Sequence, residues 1–409
     1  MPPSDCSANV LIVGSSNFDL VVHAQHLPGP ANTVLGGDYR TSPGGKGANQ
    51  AVGLQRLGTP VRFLSRVGCD PYGAKILEQL DEEGISTEFV QRDDELPSGL
   101  ALITIDGDGA RSVVVSLGAN SKVVEANVEA FVAASPAGGI LLTQLEIPAS
   151  IVHHLLRLAK RSDKQTVLHA SPAVANFPRD ALPLVDLLVL NQNELRELSG
   201  RPAQHIKTAT AAAQELIRAG ANRVLVTMGM RGVLVVSEKD GQFISGFKLP
   251  VVDNTVGSSA FVAGLVHHLS ELGDATWDDN ASMEAAVRFG LAAMACSLGR
   301  SGGQASLASR EEVEEVLSGE KVLHSTLPAD TLENLTLHAK NIRRRIIRML
   351  SAARSGHPGG SLSSADILTS LYYYAMAYKP QNPTWPNRDR LVLSKGHAAP
   401  LLYSTLIEV

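Results

Sequence analysis

At 409 residues the chain exceeds one typical core, so two domains, or one large and one partial, are expected. A hydrophobic content of 44% against 19% charged residues is that of a soluble globular protein, and a formal charge of -5 excludes a general nucleic-acid binder, whose phosphate contacts need a basic surface. No uninterrupted apolar run approaches the roughly 20 residues that span a bilayer. The amino terminus has no basic stretch before its first apolar run, so neither a membrane span nor a secretion signal is expected. Cys6, Cys69 and Cys296 are far apart with no metal-ligand spacing, and read as reduced packing thiols of a cytoplasmic protein.

In chain order, the apolar run at 10–13 predicts a first buried strand. Residues 17–39 alternate apolar and polar around the breakers Pro28, Gly29 and Pro30, which predicts short exposed strands. PGGKGANQAVGLQRLG predicts a glycine turn and a helix ending at Gly58, followed by a strand at 61–67 and a helix at 73–83. LALITIDGDGARSVVVSL predicts a hairpin within 98–117 that extends the exposed strands into a small second sheet.

From residue 139 strands at 140–145, 166–169, 187–190 and 223–227 alternate with helices at 149–160 and 209–219. That rhythm predicts a parallel sheet covered by helices on both faces, with ligands at the carboxyl ends of its strands. A hairpin at 232–247 precedes VVDNTVGSSAFVAG, residues 251–264, and helices at 261–272 and 283–298 follow. A polar segment at 319–330 reads as a linker. Beyond it come a helix with a basic face, NIRRRIIRML, then SGHPGGSLS, a second helix through Tyr374, and a proline-rich turn into a final helix. The Arg343 to Arg345 run reads as a solvated helix face.

Four stretches carry residue types suited to chemistry, each with a plainer alternative. Residues 251–264 run from an extended pair through a polar turn into a helix start, whose amides suit a phosphate, or form an ordinary strand-to-helix turn. In PGGKGANQ, Gly44, Gly45 and Gly47 admit a ligand to the backbone while Lys46 and Asn49 supply groups for sugar hydroxyls, or the stretch is a tight turn. In GSSNFDL, Asn17 and Asp19 are placed to bind vicinal hydroxyls, or make an Asx turn. Glu146 of QLEIP ends a strand and reaches the same pocket, or is a helix-start charge.

Together GSSNFDLV, GGKGANQAV, LGAN, QLEIP, NQNE, VTMGMRG and VDNTVGSSAF resemble the signatures of the ribokinase family of sugar kinases over residues 10–317. The resemblance implies a kinase domain at 1–318 of α/β class, a parallel or mixed sheet covered by helices, with a small β lid from 17–40 and 98–117 that makes a homodimer contact. It implies that Asn17, Asp19, Gly45, Lys46, Asn49 and Glu146 hold a small-molecule sugar, that Asn191 and Glu194 organise magnesium and phosphate, and that Thr227, Gly229 and Gly232 line the nucleotide site. Asp253, Thr255, Gly302 and Ser306 match residues that help bind a monovalent cation, K+. The activity implied is transfer of the ATP γ-phosphate to a pentose, D-ribose first, with ATP and Mg2+ as cofactors.

One element departs from the family. The phosphate loop of such kinases reads DTTGAGD, its last Asp taking the hydroxyl proton, whereas this chain reads DNTVGSS. Ser259 stands at the base position beside Gly257 and Ser258, and serine is no useful proton acceptor, so an impaired kinase or a non-catalytic sugar or nucleotide binder is expected. Val256 and Ser258 in place of glycines are expected to narrow the backbone choices and crowd a phosphate. Asp253, six residues before Ser259, is assigned to the cation site rather than to rescue of the base.

Residues 337–409 resemble the opening of transketolase, through NIRRRIIRML, SGHPGGSLSSADIL and NPTWPNRDRLVLSKGHAAPLLY. This implies a mainly helical, partial thiamine-diphosphate-type domain at 331–409, in which His357 and His397 match cofactor-lining histidines. Residues 337–409 contain neither the GDG segment that holds the magnesium diphosphate nor the glutamate-bearing later domain of that family, so thiamine diphosphate is not expected to bind this chain. A transketolase fragment or subunit is the remaining alternative.

Overall fold

The first strand, Val10–Val13 (β1), is apolar at every position and its residues are at most 1% exposed, because it lies in the middle of a sheet covered on both faces. The computed structural model describes residues 9–29, 31–107, 111–173, 177–247, 251–272, 277–319 and 329–408, apart from 377, 379, 382, 383, 385–387 and 395. The chain divides into two compact units, Met1–Val322 and Leu323–Val409. Cys6 and residues 320–328 of the expected linker lie outside the described residues, and Ala329 already opens a helix.

In the first unit the further strands are β2 Asn17–His23, β3 Tyr39–Gly44, β4 Val61–Gly68, β5 Val90–Asp93, β6 Gly99–Ile105, β7 Arg111–Ser116, β8 Ile140–Gln144, β9 Gln165–His169, β10 Leu187–Asn191, β11 Arg223–Thr227, β12 Gly232–Val236 and β13 Gly241–Ser245. Nine of them form one sheet in the order β13-β12-β11-β10-β9-β8-β1-β4-β5, parallel from β11 to β5 and antiparallel at β12 and β13. The other four form a smaller sheet, β3-β2-β6-β7. Its strand β3 runs to Gly44, past the expected limit at residue 40, so the glycine turn of PGGKGANQ continues directly from that sheet.

The helices are α1 Lys46–Arg56, α2 Pro71–Glu82, α3 Glu125–Ala133, α4 Ala149–Arg161, α5 Gln192–Ser199, α6 Ile206–Arg218, α7 Gly257–Leu272, α8 Asn280–Leu298 and α9 Arg310–Ser318. Strand alternation sorts the core. Val10 and Ile12 join the layer containing Phe261, Val287 and Leu291, whereas Leu11 and Val13 join the layer containing Phe131, Val152 and Leu216. Helix α8 is long and apolar enough by length and composition to cross a membrane, yet 72% of that stretch is buried inside the protein.

The seat of α7 follows from two glycines. A Cβ at Gly264 would lie 2.9 Å from Gly290 Cα, and one at Gly290 would lie 2.7 Å from the Phe261 carbonyl oxygen, so only glycine at these positions lets α7 and α8 approach this closely. Against α1, a Cβ at Gly53 would come within 2.7 Å of Ala263 Cβ. The body of α7 is thereby held against the helix that Lys46 opens.

The second unit comprises α10 Ala329–Ala353, α11 Pro358–Ser363, α12 Ala365–Ser370 and α13 Ala399–Glu408, with a small core of Ile342, Ile346, Ala365, Leu368 and Leu401. The expected basic-faced helix is part of α10, where Arg343 and Arg345 pair with Asp366 and Glu408.

Candidate functional site

The polar residues of the first unit gather where the parallel strands end. Asn17 begins β2 just beyond β1, Glu146 follows β8, and His169, Asn191 and Thr227 close β9, β10 and β11. This is the edge at which doubly wound sheets bind ligands.

Glu146 is the hub of the first cluster. Its Oε2 accepts the Ser15 hydroxyl at 2.5 Å, the Lys46 amide at 3.2 Å and the Asn17 side-chain amide at 3.3 Å, while Oε1 faces the Lys46 ammonium at 3.4 Å. Asn17 is fixed from its other end, its Oδ1 accepting from the Asn120 amide at 2.9 Å. Asp19 lies on the same face of β2 as Asn17, and a Cβ at Gly44 would sit 2.3 Å from its Oδ2, so Gly44 leaves the space the carboxylate occupies. Gly45 adopts φ 89, and a Cβ there would meet the Asn17 nitrogen at 2.6 Å. Asn49 is buried with its Oδ1 lacking a hydrogen-bond partner, an acceptor aimed at nothing within the protein.

Burial, reinforced by the negative charge of Glu146 and opposed by Lys46, raises the Asp19 carboxyl from its ordinary value to about 7. Beneath it runs a chain of buried amides. Gln144 donates to the Gln50 side-chain oxygen, and Gln50 donates to His169 Nδ1 at 2.9 Å, leaving the imidazole proton on Nε2. Burial, then the Lys46 charge, pushes His169 down to about 3, so the ring is a neutral strut. Gln50, Asn120 and Gln144 lie within the family motifs without any expected role, and His169 has no local signal.

Asn191 and Thr227 are register partners on β10 and β11. Asn191 caps α5: its Oδ1 accepts from the amides of Asn193 and Glu194 at 2.8 and 3.0 Å, and Glu194 Oε2 accepts the Asn191 amide at 2.7 Å in return. Burial raises the Glu194 carboxyl, against bonds from Ser171 and Asn191 and the field of Lys46. Gly229 lies in the β11–β12 turn with φ 60 and Gly232 opens β12 with φ 134, where a Cβ would clash with the Ile244 carbonyl at 2.1 Å.

The expected turn ahead of α7 is shorter than the sequence suggests. Gly257, Ser258 and Ser259 already belong to the helix. The Ala260 amide makes the first intrahelical bond, to the Val256 carbonyl at 2.9 Å, so the N–H groups of Gly257, Ser258 and Ser259 have no partner within the helix. Val256 is 1% exposed and packs into the apolar layer with Ala260 and Phe261, so its side chain does not crowd the helix start, contrary to expectation. Neither Val256 nor Ser258 requires positive φ, which is why residues with side chains fit there.

Asp253, Thr255 and Gly302 come together. Asp253 Oδ1 accepts the Thr255 amide at 2.9 Å and hydroxyl at 2.5 Å, and Oδ2 accepts the Gly302 amide at 3.3 Å. Ser306 instead donates to the Gly303 carbonyl at 2.8 Å. In the second unit, His357 and His397 stand with ring centroids 5.3 Å apart. Among the described residues no group of three metal-ligating side chains accompanies them, so no step through thiamine diphosphate is assigned there.

A mixed sheet with polar side chains converging on its strand ends, together with a helix whose first amides lack intrahelical partners, is an α/β arrangement of the class that suits small polar and anionic ligands at one sheet edge. Residues 7–310 match the model of the pfkB family carbohydrate kinases, and the chain belongs to that family. It is 33% identical over 306 residues to a ribokinase of Haemophilus influenzae, covering 75% of this chain and 97% of that protein. The structure of a Giardia lamblia ribokinase superposes with a TM-score of 0.71 at 25% identity, over 77% of this chain and 100% of the other. That of an Arabidopsis thaliana ribokinase complexed with ribose and ATP gives 0.67 at 28% identity, over 76% and 99%. Residues 335–408 match the transketolase thiamine diphosphate binding domain.

Proposed function

We propose that the first unit binds a pentose, D-ribose first, together with ATP, and transfers the γ-phosphate to the sugar 5-hydroxyl at a rate limited by Ser259. The observation that carries this reading is the buried Asp19, set beside the Glu146–Lys46 pair and the unpartnered Asn49 oxygen. Such a group of fixed acceptors and donors suits vicinal hydroxyls.

Asn17 and Lys46, oriented by Glu146, hold the sugar, while the amides of Gly257, Ser258 and Ser259 receive the transferring phosphate. Thr227, Gly229 and Gly232 line the nucleotide. Glu194 offers a carboxylate at the strand ends, and because magnesium keeps several waters, the cap it shares with Asn191 is compatible with holding the ion through water. Magnesium supplies neutralisation of phosphate charge when bound. The residue for which the constellation has no counterpart is the proton acceptor.

Calorimetry with ribose and with ADP, beside an ADP-release assay, tests the reading. Binding with slow, ribose-dependent turnover is expected. Binding with no turnover favours a non-catalytic sugar and nucleotide binder, for which Ser259 is the specific argument, and absence of ribose binding defeats the proposal.

The raised Asp19 carboxyl has its own consequence. In the empty protein it is protonated below about pH 7, so a sugar that needs the ionised acceptor must displace a proton there. Ribose affinity is expected to fall as pH drops below 7, by up to about tenfold per unit, and Asp19→Asn should bind weakly with a flat profile. A flat wild-type profile between about pH 5.5 and 8.5 would show that no such proton is released.

The smaller sheet is also the proposed dimer contact. Leu102 and Val114 are register partners, 49% and 62% exposed, on one apolar face. Sedimentation should give a dimer that Val114→Asp converts to monomer, and a monomeric wild type would reject the contact.

A further inference from the structure

The Asp253 cluster does not fit the alkali cation that the family resemblance implies. An alkali ion needs a shell of oxygen acceptors, whereas the groups converging on Asp253 are donors: the Thr255 amide and hydroxyl, the Gly302 amide, and the guanidinium of Arg40 on Oδ2. The other arm of that guanidinium donates to the Ser301 hydroxyl. Asp253 is buried, with 4% of its side chain exposed against 29% for Arg40, so the ion pair is only partly screened. Although burial would raise the Asp253 carboxyl, the Thr255 bonds, the Gly302 amide and the Arg40 charge hold it below its ordinary value.

Arg40 comes from β3 of the smaller sheet, register partner of Val21, and joins a loop 213 residues away. A second arginine of that sheet, Arg111 at the start of β7, donates to the Asn254 carbonyl at 2.6 Å. Two strands of the smaller sheet are thus tied by charged donors to the segment that leads into the free amides of α7.

We propose that the Arg40 guanidinium is the resident cation of the Asp253 loop, standing where a monovalent metal ion would otherwise be needed and making the helix start at Gly257 independent of potassium. The positive charge is covalently part of the smaller sheet, so it is present whatever the salt. Exchange of a bound alkali ion then has no part in ordering the phosphate-binding amides.

The test compares the full chain in about 100 mM potassium chloride and in tetramethylammonium chloride of equal ionic strength, which holds general screening constant. Two readouts are followed, thermal unfolding of the protein without ligand and calorimetric binding of ADP. The wild type should melt at the same temperature in both salts and bind ADP with affinities that differ by less than about twofold. Arg40→Gln, which removes the charge and leaves the carboxylate, should bind ADP at least about fivefold more tightly in potassium than in tetramethylammonium.

A wild-type melting point or ADP affinity that rises in potassium as much as the variant's overturns the proposal. So does an Arg40→Gln protein as stable as wild type and indifferent to the salt. If Arg40→Gln does not fold, the wild-type comparison of salts still decides. Loss of ADP binding in both salts would count against the kinase reading on which the affinity readout rests, while the melting comparison tests the cation independently.

Discussion

Ser259→Asp is expected to raise the rate of ribose-dependent ADP release by at least about 100-fold, equivalent to about 2.7 kcal/mol of transition-state stabilisation. Ser259 occupies the third position of α7 and is 3% exposed, in the turn whose amides of Gly257, Ser258 and Ser259 lack intrahelical partners. A carboxylate in the first turn of a helix is favoured by the dipole, typically by about 0.3–1 kcal/mol, which offsets part of the cost of burying it. A serine hydroxyl at that place can donate or accept a hydrogen bond but does not take a proton at working pH. Asp253 does not substitute for it, being committed to Thr255, Gly302 and Arg40.

The control is Ser259→Asn, nearly the same size and without basicity. The gain should appear in kcat for Asp alone, with the ribose KM changed by less than about threefold, since the proposed sugar contacts are Asn17, Asp19 and Lys46 rather than the start of α7. Equal rates for Asp and Asn, or a wild type that already turns over at the typical kinase rate of about 1–100 per second, would remove Ser259 as the limiting group.

What was legible in the sequence follows the range over which each interaction acts. The buried strands of the large sheet announce themselves because burial on both faces demands near-continuous apolar runs, as in Val10–Val13 and Leu187–Asn191. The proposed sugar cluster is legible only as two separate glycine and Asx motifs, because the fit of Gly44 and Gly45 against Asp19 and Asn17 is made across the β2–β3 pairing, more than twenty residues apart in the chain. Helix α5 escapes notice because it has only eight residues, and the pair that reads as a magnesium motif, Asn191 and Glu194, is also its capping box. The start of α7 is misjudged by four residues because Gly257 and two serines look like loop, while burial of Val256 in the same apolar layer as Ala260 and Phe261 seats the helix from Gly257 onward. The Arg40–Asp253 pair has no local signature at all, since it joins an edge strand of one sheet to a loop leaving the other. The same is true of the Gln144–Gln50–His169 chain, which is assembled from three separate elements.

Glu146→Gln should be the most damaging single change among the residues proposed to form the sugar site, and the reason is geometric. Three donors converge on Oε2, from Ser15, Asn17 and Lys46, and an ammonium faces Oε1. A glutamine that turns its oxygen to the three donors presents its NH2 to the Lys46 ammonium, and in the other orientation it opposes three donors with two more. Either way a buried group is left unmatched. Breaking a buried pair by removing one partner costs about 3–5 kcal/mol, and because the Lys46 side chain keeps 24% of its exposure, a loss of about 2–3 kcal/mol is expected. In a unit of this size that corresponds to a fall of roughly 3–5 °C in its melting transition.

Ribose binding should weaken with it, and the pH profile separates loss of the hub charge from general loosening. The Glu146 charge is the second cause, after burial, of the raised Asp19 carboxyl, and Lys46 already opposes it. Without Glu146 the ammonium acts unopposed, so Asp19 ionises at lower pH and the midpoint of ribose binding should move below that of wild type. A variant that loses stability while its binding midpoint stays near pH 7 would show that Glu146 supports the fold without setting the charge of Asp19.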